Sequence, residues 1–313
     1  MPDYIITTRR VRRGALGAEP GPTRFLRVPA NRRPQPDHAI GRAEWVAAVL
    51  AAGRTGQDAH SGEDPGEIVV FVHGYNTSPA FVAQRHRQLR KDLGATGYKF
   101  ALVSFDWPSD DRAINYLEDR SDAKLTALRL VDDCITLLAA TQFRGCRYNI
   151  HVVAHSMGSY VVREAFDDAD DRPAIASSNW TVSQICFVGA DVSAASMAAS
   201  DARSRSLYRH CTRLTNYQNP FDRALKLSNV KRAGVAPRAG RRGLPRGHPD
   251  KAVNVNCGSH YEQQLDSDLD NGHSWYFDDT IFLADLAATL RGDTDRQVTA
   301  SRRLDRRGEM HLR

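Results

Sequence analysis

The pentapeptide Ala154-His155-Ser156-Met157-Gly158 constrains the fold of this chain more than any other feature. It follows an apolar, β-branched run at 149–154 and precedes residues 159–166, whose spacing predicts a helix. Small residues two positions before and two positions after the serine let a strand turn sharply into a helix, where larger side chains would collide. The sequence therefore predicts a nucleophile elbow, with Ser156 held in a strained backbone conformation and its hydroxyl exposed above a sheet.

Strand and helix patterns alternate along the rest of the chain. Continuous apolar runs predict strands that are buried on both faces, and segments with apolar residues every three or four positions predict the helices between them. The strands are expected at 68–72, 99–105, 149–154, 184–190, 213–218 and 253–257, and the helices at 78–93, 121–142, 159–166 and 275–290. This alternation predicts an α/β fold with a doubly wound, mostly parallel sheet.

The 313 residues, 41% of them hydrophobic, are enough for one substantial core with additions at its ends. We expect residues 1–65 to form a lead of short strands and a helix packed on the main domain. Residues 66–290 would form that main domain, and 291–313 a basic tail. A segment rich in Gly, Pro and Arg at 223–250 is either a lid over the site or a disordered basic loop.

The net charge of +6 is concentrated in three segments. Residues 1–33 hold eight arginines against Asp3 and Glu19, which gives an excess of +6. The excess is also +6 at 231–251 and is +3 at 291–313, so the remainder is acidic. A protein that binds nucleic acid is expected to carry its positive charge on the surface of the folded domain. Here the folded domain is acidic, and we therefore expect no nucleic-acid partner.

Several other classes of protein are also excluded. No apolar run approaches the roughly 18 residues of a membrane-spanning helix, and no apolar segment follows the basic N-terminus, so we expect a cytoplasmic protein without integral membrane association. The five cysteines are odd in number and lack any CxxC spacing, so the sequence predicts neither a disulfide framework nor a zinc knuckle. Neither HExxH, GxGxxG nor a P-loop is present, and we expect no metal and no cofactor.

A second candidate element is the sequence FVHGYN at 71–76, just past a predicted strand. Acyl transfer requires two N–H donors aimed at the developing oxyanion, one from the residue after the nucleophile and one from such a loop. These donors would be the N–H groups of Met157 and Tyr75, and Gly74 would allow the close approach. His73, Gly74, Trp107 and His155 are candidates for the substrate pocket.

These motifs resemble the α/β-hydrolase superfamily, and in particular a bacterial branch described only as alpha/beta hydrolases of unknown function. The resemblance spans about residues 66–290 and is strongest in the segments FVHGYNTS (71–78), RHRQLRKDL (85–93), VSFDWPS (103–109), YLEDRSDA (116–123), HVVAHSMGSYVVREAF (151–166) and FDRALKLS (221–228). It implies an α/β-hydrolase fold and a catalytic triad in the chain order serine, acid, histidine. Ala154 replaces the more usual glycine of the elbow.

The resemblance places the acid at Asp222, while Asp191, after the preceding predicted strand, is an alternative. His273, on the loop before the last helix, is the favoured base, and His260 is its alternative. The expected function is hydrolysis of a small-molecule carboxylic ester by nucleophilic serine catalysis through an acyl-enzyme. An acyltransferase, thioesterase or amidase with the same triad, or a non-catalytic binding module of the same fold, are the alternatives. The oligomeric state is not predicted.

Overall fold

A computed structural model describes residues 1–54, 66–109, 116–140, 148–177, 180–230, 237–264, 271–293 and 300–313. Within these residues the strands are β1 (Asp3–Arg12), β2 (Ala15–Val28), β3 (Ala39–Ile40), β4 (Gly66–Val72), β5 (Ala101–Asp106), β6 (Tyr148–His155), β7 (Val182–Val188), β8 (Cys211–Gln218), β9 (Ala252–Asn256), β10 (Arg302–Leu304) and β11 (Met310–Leu312). They form one sheet in the order β10-β11-β9-β8-β7-β6-β4-β5-β1-β2-β3.

The helices of the described residues are α1 (Arg42–Gly53), α2 (Pro79–Ala95), α3 (Tyr116–Leu130), α4 (Thr136–Ala139), α5 (Met157–Asp170), α6 (Pro173–Ala176), α7 (Ala202–Arg209), α8 (Arg223–Val230), α9 (Ala239–Arg242), α10 (Gly258–Gln264) and α11 (Thr280–Arg291). Short 3₁₀ turns lie at Pro36–His38, Ala195–Met197 and Trp275–Asp278. The helix predicted at 121–142 is divided, because a π-turn at Val131–Ile135 interrupts it where the Thr136 hydroxyl donates to the Val131 carbonyl.

The centre of the sheet is parallel, as predicted. Neighbouring strands from β11 through β9, β8, β7, β6, β4 and β5 to β1 pair in parallel, while β2, β3 and β10 join antiparallel at the two edges. Helices cover both faces. Side chains of α1, α3 and α5 pack on one face with alternate residues of β4 and β6, and those of α2 and α11 pack on the other. This is the doubly wound α/β arrangement that the alternating pattern predicts.

The direction of winding changes between β4 and β6. From β4 the chain continues to β5 on one side, and then crosses back to place β6 on the other side of β4. In open α/β sheets, ligands bind outside the carboxyl ends of the strands at such a switch point. His73 follows β4 directly, and Ser156 follows β6, so both lie at this place in the fold.

Both ends of the chain contribute to the sheet. Strand β1 pairs with β5, and β11 pairs with β9, so segments expected to be a lead and a basic tail extend the same sheet. Arg302 of this expected tail is buried and its guanidinium binds the carboxylate of Asp285 at 2.8 Å. The division of the chain at residues 66 and 291 remains a prediction, and residues 294–299 lie outside the described part.

The predicted excursion at 223–250 begins as α8, and residues 231–236 lie outside the described residues. Beyond them the backbone is fixed at the ends of β7 and β8. The N–H of Ala239 donates to the Val192 carbonyl, the N–H of Gly240 donates to the Ala190 carbonyl, and both distances are 2.9 Å. Residues 239 and 240 are therefore held against the segment that follows the carboxyl end of β7.

Candidate active site

Ser156 occupies a strained turn between β6 and α5. Its φ of 54° and ψ of −122° are rare for a residue with a side chain, and the surrounding backbone holds them. The Ser156 N–H donates to the Val188 carbonyl, and the Ser156 carbonyl accepts from the N–H of Asp191, both at 3.0 Å. A Cβ on Gly158 would lie 2.3 Å from the Val72 carbonyl oxygen, which explains why the elbow needs a glycine there.

Ser156, His273 and Asp222 form a continuous chain of hydrogen bonds. His273 Nε2 lies 2.8 Å from Ser156 Oγ, and His273 Nδ1 lies 2.6 Å from Asp222 Oδ2. Because a carboxylate only accepts, Nδ1 carries the proton and Nε2 is left to accept the hydrogen of the serine hydroxyl. The side chain of Asp222 is fully buried, and its second oxygen, Oδ1, accepts from the N–H of Leu225 at 2.8 Å.

The loop at 271–273 is tied to the segment that carries Asp222. The amide of Asn219 donates to the Gly272 carbonyl at 2.9 Å, and the N–H of Arg223 donates to the Asn271 carbonyl at 2.8 Å. Gly272 has a φ of +77°, which favours glycine. These bonds hold the histidine and the acid in one geometry although they are 51 residues apart in the sequence.

His155 fixes the backbone of the catalytic histidine candidate from the other side. Its Nε2–H donates to the His273 carbonyl at 3.0 Å, and its ring packs edge-on against Phe277. Burial is the main cause that lowers the pKa of His155 well below its ordinary value, and the nearby His273 lowers it further. His155 is therefore a neutral positioning residue near the pocket, as its place beside the nucleophile implies.

The loop after β4 lies directly against the nucleophile. A Cβ on Gly74 would approach within 3.0 Å of Ser156 Cβ, so glycine permits this contact. Tyr75 follows in the same loop. Met157 is the first residue of α5, and the first N–H groups of a helix have no carbonyl partner within that helix. The two residues predicted to supply oxyanion donors thus flank Ser156.

A buried polar network braces this loop. The His73 Nδ1–H donates to the Gly74 carbonyl at 2.6 Å, and His73 Nε2 lies 3.4 Å from Asp106 Oδ1. Arg9 of β1 binds the same oxygen of Asp106 through Nε at 2.7 Å and donates to the Thr77 carbonyl through a terminal nitrogen, also at 2.7 Å. Burial raises the pKa of Asp106, but the charge of Arg9 and the contact with His73 outweigh it and lower that pKa.

Trp107, a sequence candidate for the pocket, is fully buried instead. Its ring stacks on that of His73 with centroids 5.3 Å apart, and its indole N–H donates to the His73 carbonyl at 2.8 Å. This places Trp107 behind the pocket wall, as a support for the loop.

The two alternative triad residues have other partners. Asp191 forms a buried ion pair with Arg238 at 2.9 Å. His260 Nε2 lies 2.9 Å from Asp279 Oδ2, and Asp279 caps α11 through its other oxygen. Asp191 and His260 are thus engaged in contacts outside the hydrogen-bond chain of Ser156, His273 and Asp222.

A cavity of about 240 Å³ opens beside Ser156. Its walls are formed by the loop after β4, one face of α2, the elbow and the His273 loop. Among the described residues it is lined by Phe71, His73, Gly74, Tyr75, Asn76, Thr77, Phe81, Val82, Arg85, His155, Ser156, Ala224, Asn271, His273, Ser274 and Phe277. Of the predicted lid segment, Ala224 alone is among these described lining residues.

One group of side chains in the described ranges has the arrangement of metal ligands. Asp305, Glu309 and His311 present ligand atoms within 4.8 Å of one another, at the β10–β11 edge of the sheet. The group was not apparent from sequence spacing, because the β10–β11 hairpin brings the three residues together. Over the same ranges, no helix has both the length and the apolar character needed to cross a bilayer.

Sequence reasoning missed the residues that hold the site together. Arg9 and Asp106 are 97 positions apart, and only the pairing of β1 with β5 brings them into contact. Asn219 stands three residues before Asp222 in the NPFD sequence, and this short separation from a candidate acid is the signal that the sequence offers. Arg85 opens the RHRQLRKDL segment, but the sequence alone does not show that it lies on the cavity-facing side of α2.

The sequence profile of a protein family described as "Alpha/beta hydrolase of unknown function (DUF900)" matches residues 55–243, more than half of the chain. No curated protein matches the sequence significantly. Among solved structures, one that is similar is a hyperthermophilic esterase from the archaeon Pyrobaculum calidifontis, with 14% identity, a TM-score of 0.38, and coverage of 77% of this chain and 79% of the other.

Two further similar structures are an esterase domain of a Rhodothermus marinus protein and a predicted CIB-like hydrolase from Thermoplasma acidophilum. The first has 12% identity and a TM-score of 0.39, with coverage of 76% of this chain and 89% of the other. The second has 13% identity and a TM-score of 0.38, with coverage of 75% and 89%.

Proposed function

This chain belongs to the family of alpha/beta hydrolases of unknown function, and from that premise we propose that it is a serine hydrolase that cleaves carboxylic esters. The nucleophile is Ser156, the general base is His273 and the acid is Asp222. The acyl group passes through a covalent ester with Ser156 and is then released by water.

The observation that carries this proposal is the hydrogen-bond chain from Ser156 Oγ through His273 to Asp222, with distances of 2.8 and 2.6 Å. A serine hydroxyl is a weak nucleophile until a neighbouring base removes its proton. The buried carboxylate keeps the proton of His273 on Nδ1 and stabilises the positive ring that forms when Nε2 takes the serine proton.

The reaction then runs in two halves. Ser156 Oγ attacks the ester carbonyl carbon while its proton moves to His273 Nε2, and the oxyanion accepts hydrogen bonds from the N–H groups of Met157 and Tyr75. His273 returns the proton to the leaving alcohol as the C–O bond breaks. In the second half a water molecule gives a proton to His273 and attacks the acyl carbon. His273 then passes this proton to Ser156 Oγ as the bond between Oγ and the acyl carbon breaks, which frees the acid and restores Ser156.

The cavity favours small substrates. Its volume of about 240 Å³ is below the roughly 300–1,000 Å³ of sites that enclose drug-sized ligands. Short acyl chains therefore fit beside Ser156, and a long chain would extend past the exposed ring of Phe81 at the cavity edge. We expect turnover to fall as the acyl chain lengthens.

The test is the hydrolysis of p-nitrophenyl esters from acetate to palmitate by the wild type and four variants, with circular dichroism to check folding. Ser156→Ala and His273→Ala should lower kcat/KM by about 10³-fold or more, and Asp222→Asn by about 10³- to 10⁴-fold. Asp191→Asn is the matched control, because it removes another buried carboxylate, one that binds Arg238. This substitution should lower kcat/KM of the folded enzyme by less than about tenfold.

Labelling of Ser156 by a neutral fluorophosphonate tests the nucleophile without requiring the right ester. A wild type that neither hydrolyses any ester of the series nor reacts with the probe contradicts the proposal, as does equal activity in Ser156→Ala. Adding small alcohols and amines to the assay measures transfer, since an acyltransferase would form new esters or amides at the expense of free acid.

A further inference from the structure

Arg85 of α2 brings a positive charge into the wall of the cavity that contains Ser156. Its guanidinium carbon lies 4.7 Å from the ring centroid of Phe277 and 5.6 Å from that of Phe81. The two rings hold the planar group by cation–π contact and leave its N–H edge for other partners. Arg85 is thus placed in the cavity wall by residues that themselves line the cavity.

Within the described part of the chain, no carboxylate lies within ion-pair distance of this guanidinium. It donates one hydrogen bond, to the amide oxygen of Gln88 at 2.9 Å, out of five N–H groups. Asp278 and Asp92 attract Arg85 from a greater distance, and the carboxylate of Asp278 accepts a hydrogen bond from the amide nitrogen of Gln88. Burial lowers the pKa of Arg85, yet an arginine remains charged.

The other four N–H groups of Arg85 make no hydrogen bond to the described residues, and the side chain is half-buried in the cavity wall. A cation removed from water gains most from a ligand that returns the lost hydrogen bonds and supplies the opposite charge. The planar fork of a guanidinium matches a carboxylate with two parallel N–H···O bonds. The remaining lining residues include aromatic rings, polar side chains and the neutral His155, and none of those that the structure describes is an aspartate or a glutamate that would repel an anion.

We propose that Arg85 determines substrate choice by binding a carboxylate that the ester carries in addition to its scissile bond. The substrate class is therefore small esters with one free carboxylate, such as half-esters of short dicarboxylic acids. This inference rests on the proposed esterase function. Arg85 takes no part in bond breaking, since the serine, histidine and water steps are those already described, and it acts as a specificity-determining residue.

The experiment compares esters that differ only in this charge. Mono-p-nitrophenyl adipate and its methyl ester place the carboxylate or its neutral twin on the acyl side. The pair 4-acetoxybenzoate and methyl 4-acetoxybenzoate does the same on the alcohol side, so the two pairs show which half of the substrate reaches Arg85. The measured quantity is the ratio of kcat/KM for the charged ester to that for its twin.

In the wild type we expect this ratio to exceed one for at least one pair. Arg85→Gln should lower the ratio about 10- to 100-fold, mainly through KM, because it removes two charge-assisted hydrogen bonds. Arg85→Lys should restore part of the ratio, since it returns the charge without the planar fork. Lys91→Gln removes an equal charge from an exposed position of the same helix and should leave the ratio unchanged.

A measurement on the wild type alone keeps the inference testable if the Arg85 variants do not fold. Free adipate should slow the labelling of Ser156 by a neutral fluorophosphonate more than dimethyl adipate does, and added salt should weaken this protection. Equal protection by the two compounds would contradict the role of Arg85.

The failure of this inference can be told apart from that of the proposed function. Ser156-dependent hydrolysis without any preference for the charged esters overturns the inference alone. An Arg85→Gln variant in which kcat/KM falls equally for the charged ester and its neutral twin does so too. Absence of both hydrolysis and probe labelling overturns the esterase proposal and this inference with it.

Discussion

Replacement of Gly158 by alanine tests the geometry of the elbow with the smallest possible change. The added Cβ would lie 2.3 Å from the Val72 carbonyl oxygen and 2.6 Å from that of His73, whereas real contacts of this kind stay above about 3.0 Å. The end of β4 must therefore move by roughly 0.7 Å, the difference between 2.3 and 3.0 Å, or α5 must move by the same amount.

Both stability and activity should fall. Overpacking of a well-packed site costs about 1–3 kcal/mol, and the preference of helices for alanine over glycine returns up to about 1 kcal/mol. We expect a net loss of about 1–2 kcal/mol in the free energy of unfolding. The loop that begins at His73 moves with the end of β4, and a displacement of this size should lower kcat/KM about 10- to 100-fold.

Gly94→Ala is the matched control, because Gly94 also lies in a helix and a Cβ there would meet no atom within 4 Å. It should leave activity unchanged and keep or slightly increase stability. Urea unfolding and p-nitrophenyl acetate hydrolysis measure both quantities. A Gly158→Ala protein as stable and as active as the wild type would refute the argument from close packing at the elbow.

Three further predictions concern buried charge and protonation. Asp106→Asn should lower the free energy of unfolding by about 3–5 kcal/mol in urea titrations, because Arg9 is left buried without its carboxylate; a loss below 1 kcal/mol would contradict this. Burial, with Arg90 and Arg87 nearby, lowers the pKa of His86 to about 3, so the native state resists protonation that the unfolded chain accepts below about pH 6.5. The stability that neutral His86 gives the native state is complete above pH 6.5 and is lost as the pH falls towards 3. His86→Gln should therefore reduce the pH slope of the unfolding free energy by about 1.4 kcal/mol per pH unit between pH 6 and 4. An unchanged slope would count against this prediction. His155→Gln should lower kcat for p-nitrophenyl acetate more than it raises KM, because the bond to the His273 carbonyl positions the base, and the opposite split would indicate a substrate contact instead.

The central sheet and the elbow could be predicted because their determinants are local. The run before Ser156 predicts a buried strand, and the small residues around the serine predict the turn. The choice between Asp222 and Asp191 could not be made from spacing, since both follow strands that end at the same edge of the sheet. Their different partners, His273 and Arg238, depend on contacts between distant segments.

Strands β10 and β11 illustrate a different limit. Each has only three residues. The Arg-Arg-Leu of β10 shows no apolar alternation, and the Met-His-Leu of β11 alternates over too few residues to indicate a strand. Charged residues on short edge strands are common because they discourage pairing with other molecules. The burial of Arg302 against Asp285 is favourable only once α11 has supplied the carboxylate.

The position of β1 between β2 and β5 sets a limit on how this protein can be shortened. An expression fragment that starts at residue 66 would retain Ser156, Asp222 and His273, but it would expose the hydrogen-bonding edge of β5 at Val103–Asp106. An exposed apolar edge strand is a template for aggregation. Such a fragment would also leave Asp106 without Arg9 and Thr7, its partners from β1. We therefore expect it to be insoluble, and a minimal active protein has to keep the first strand.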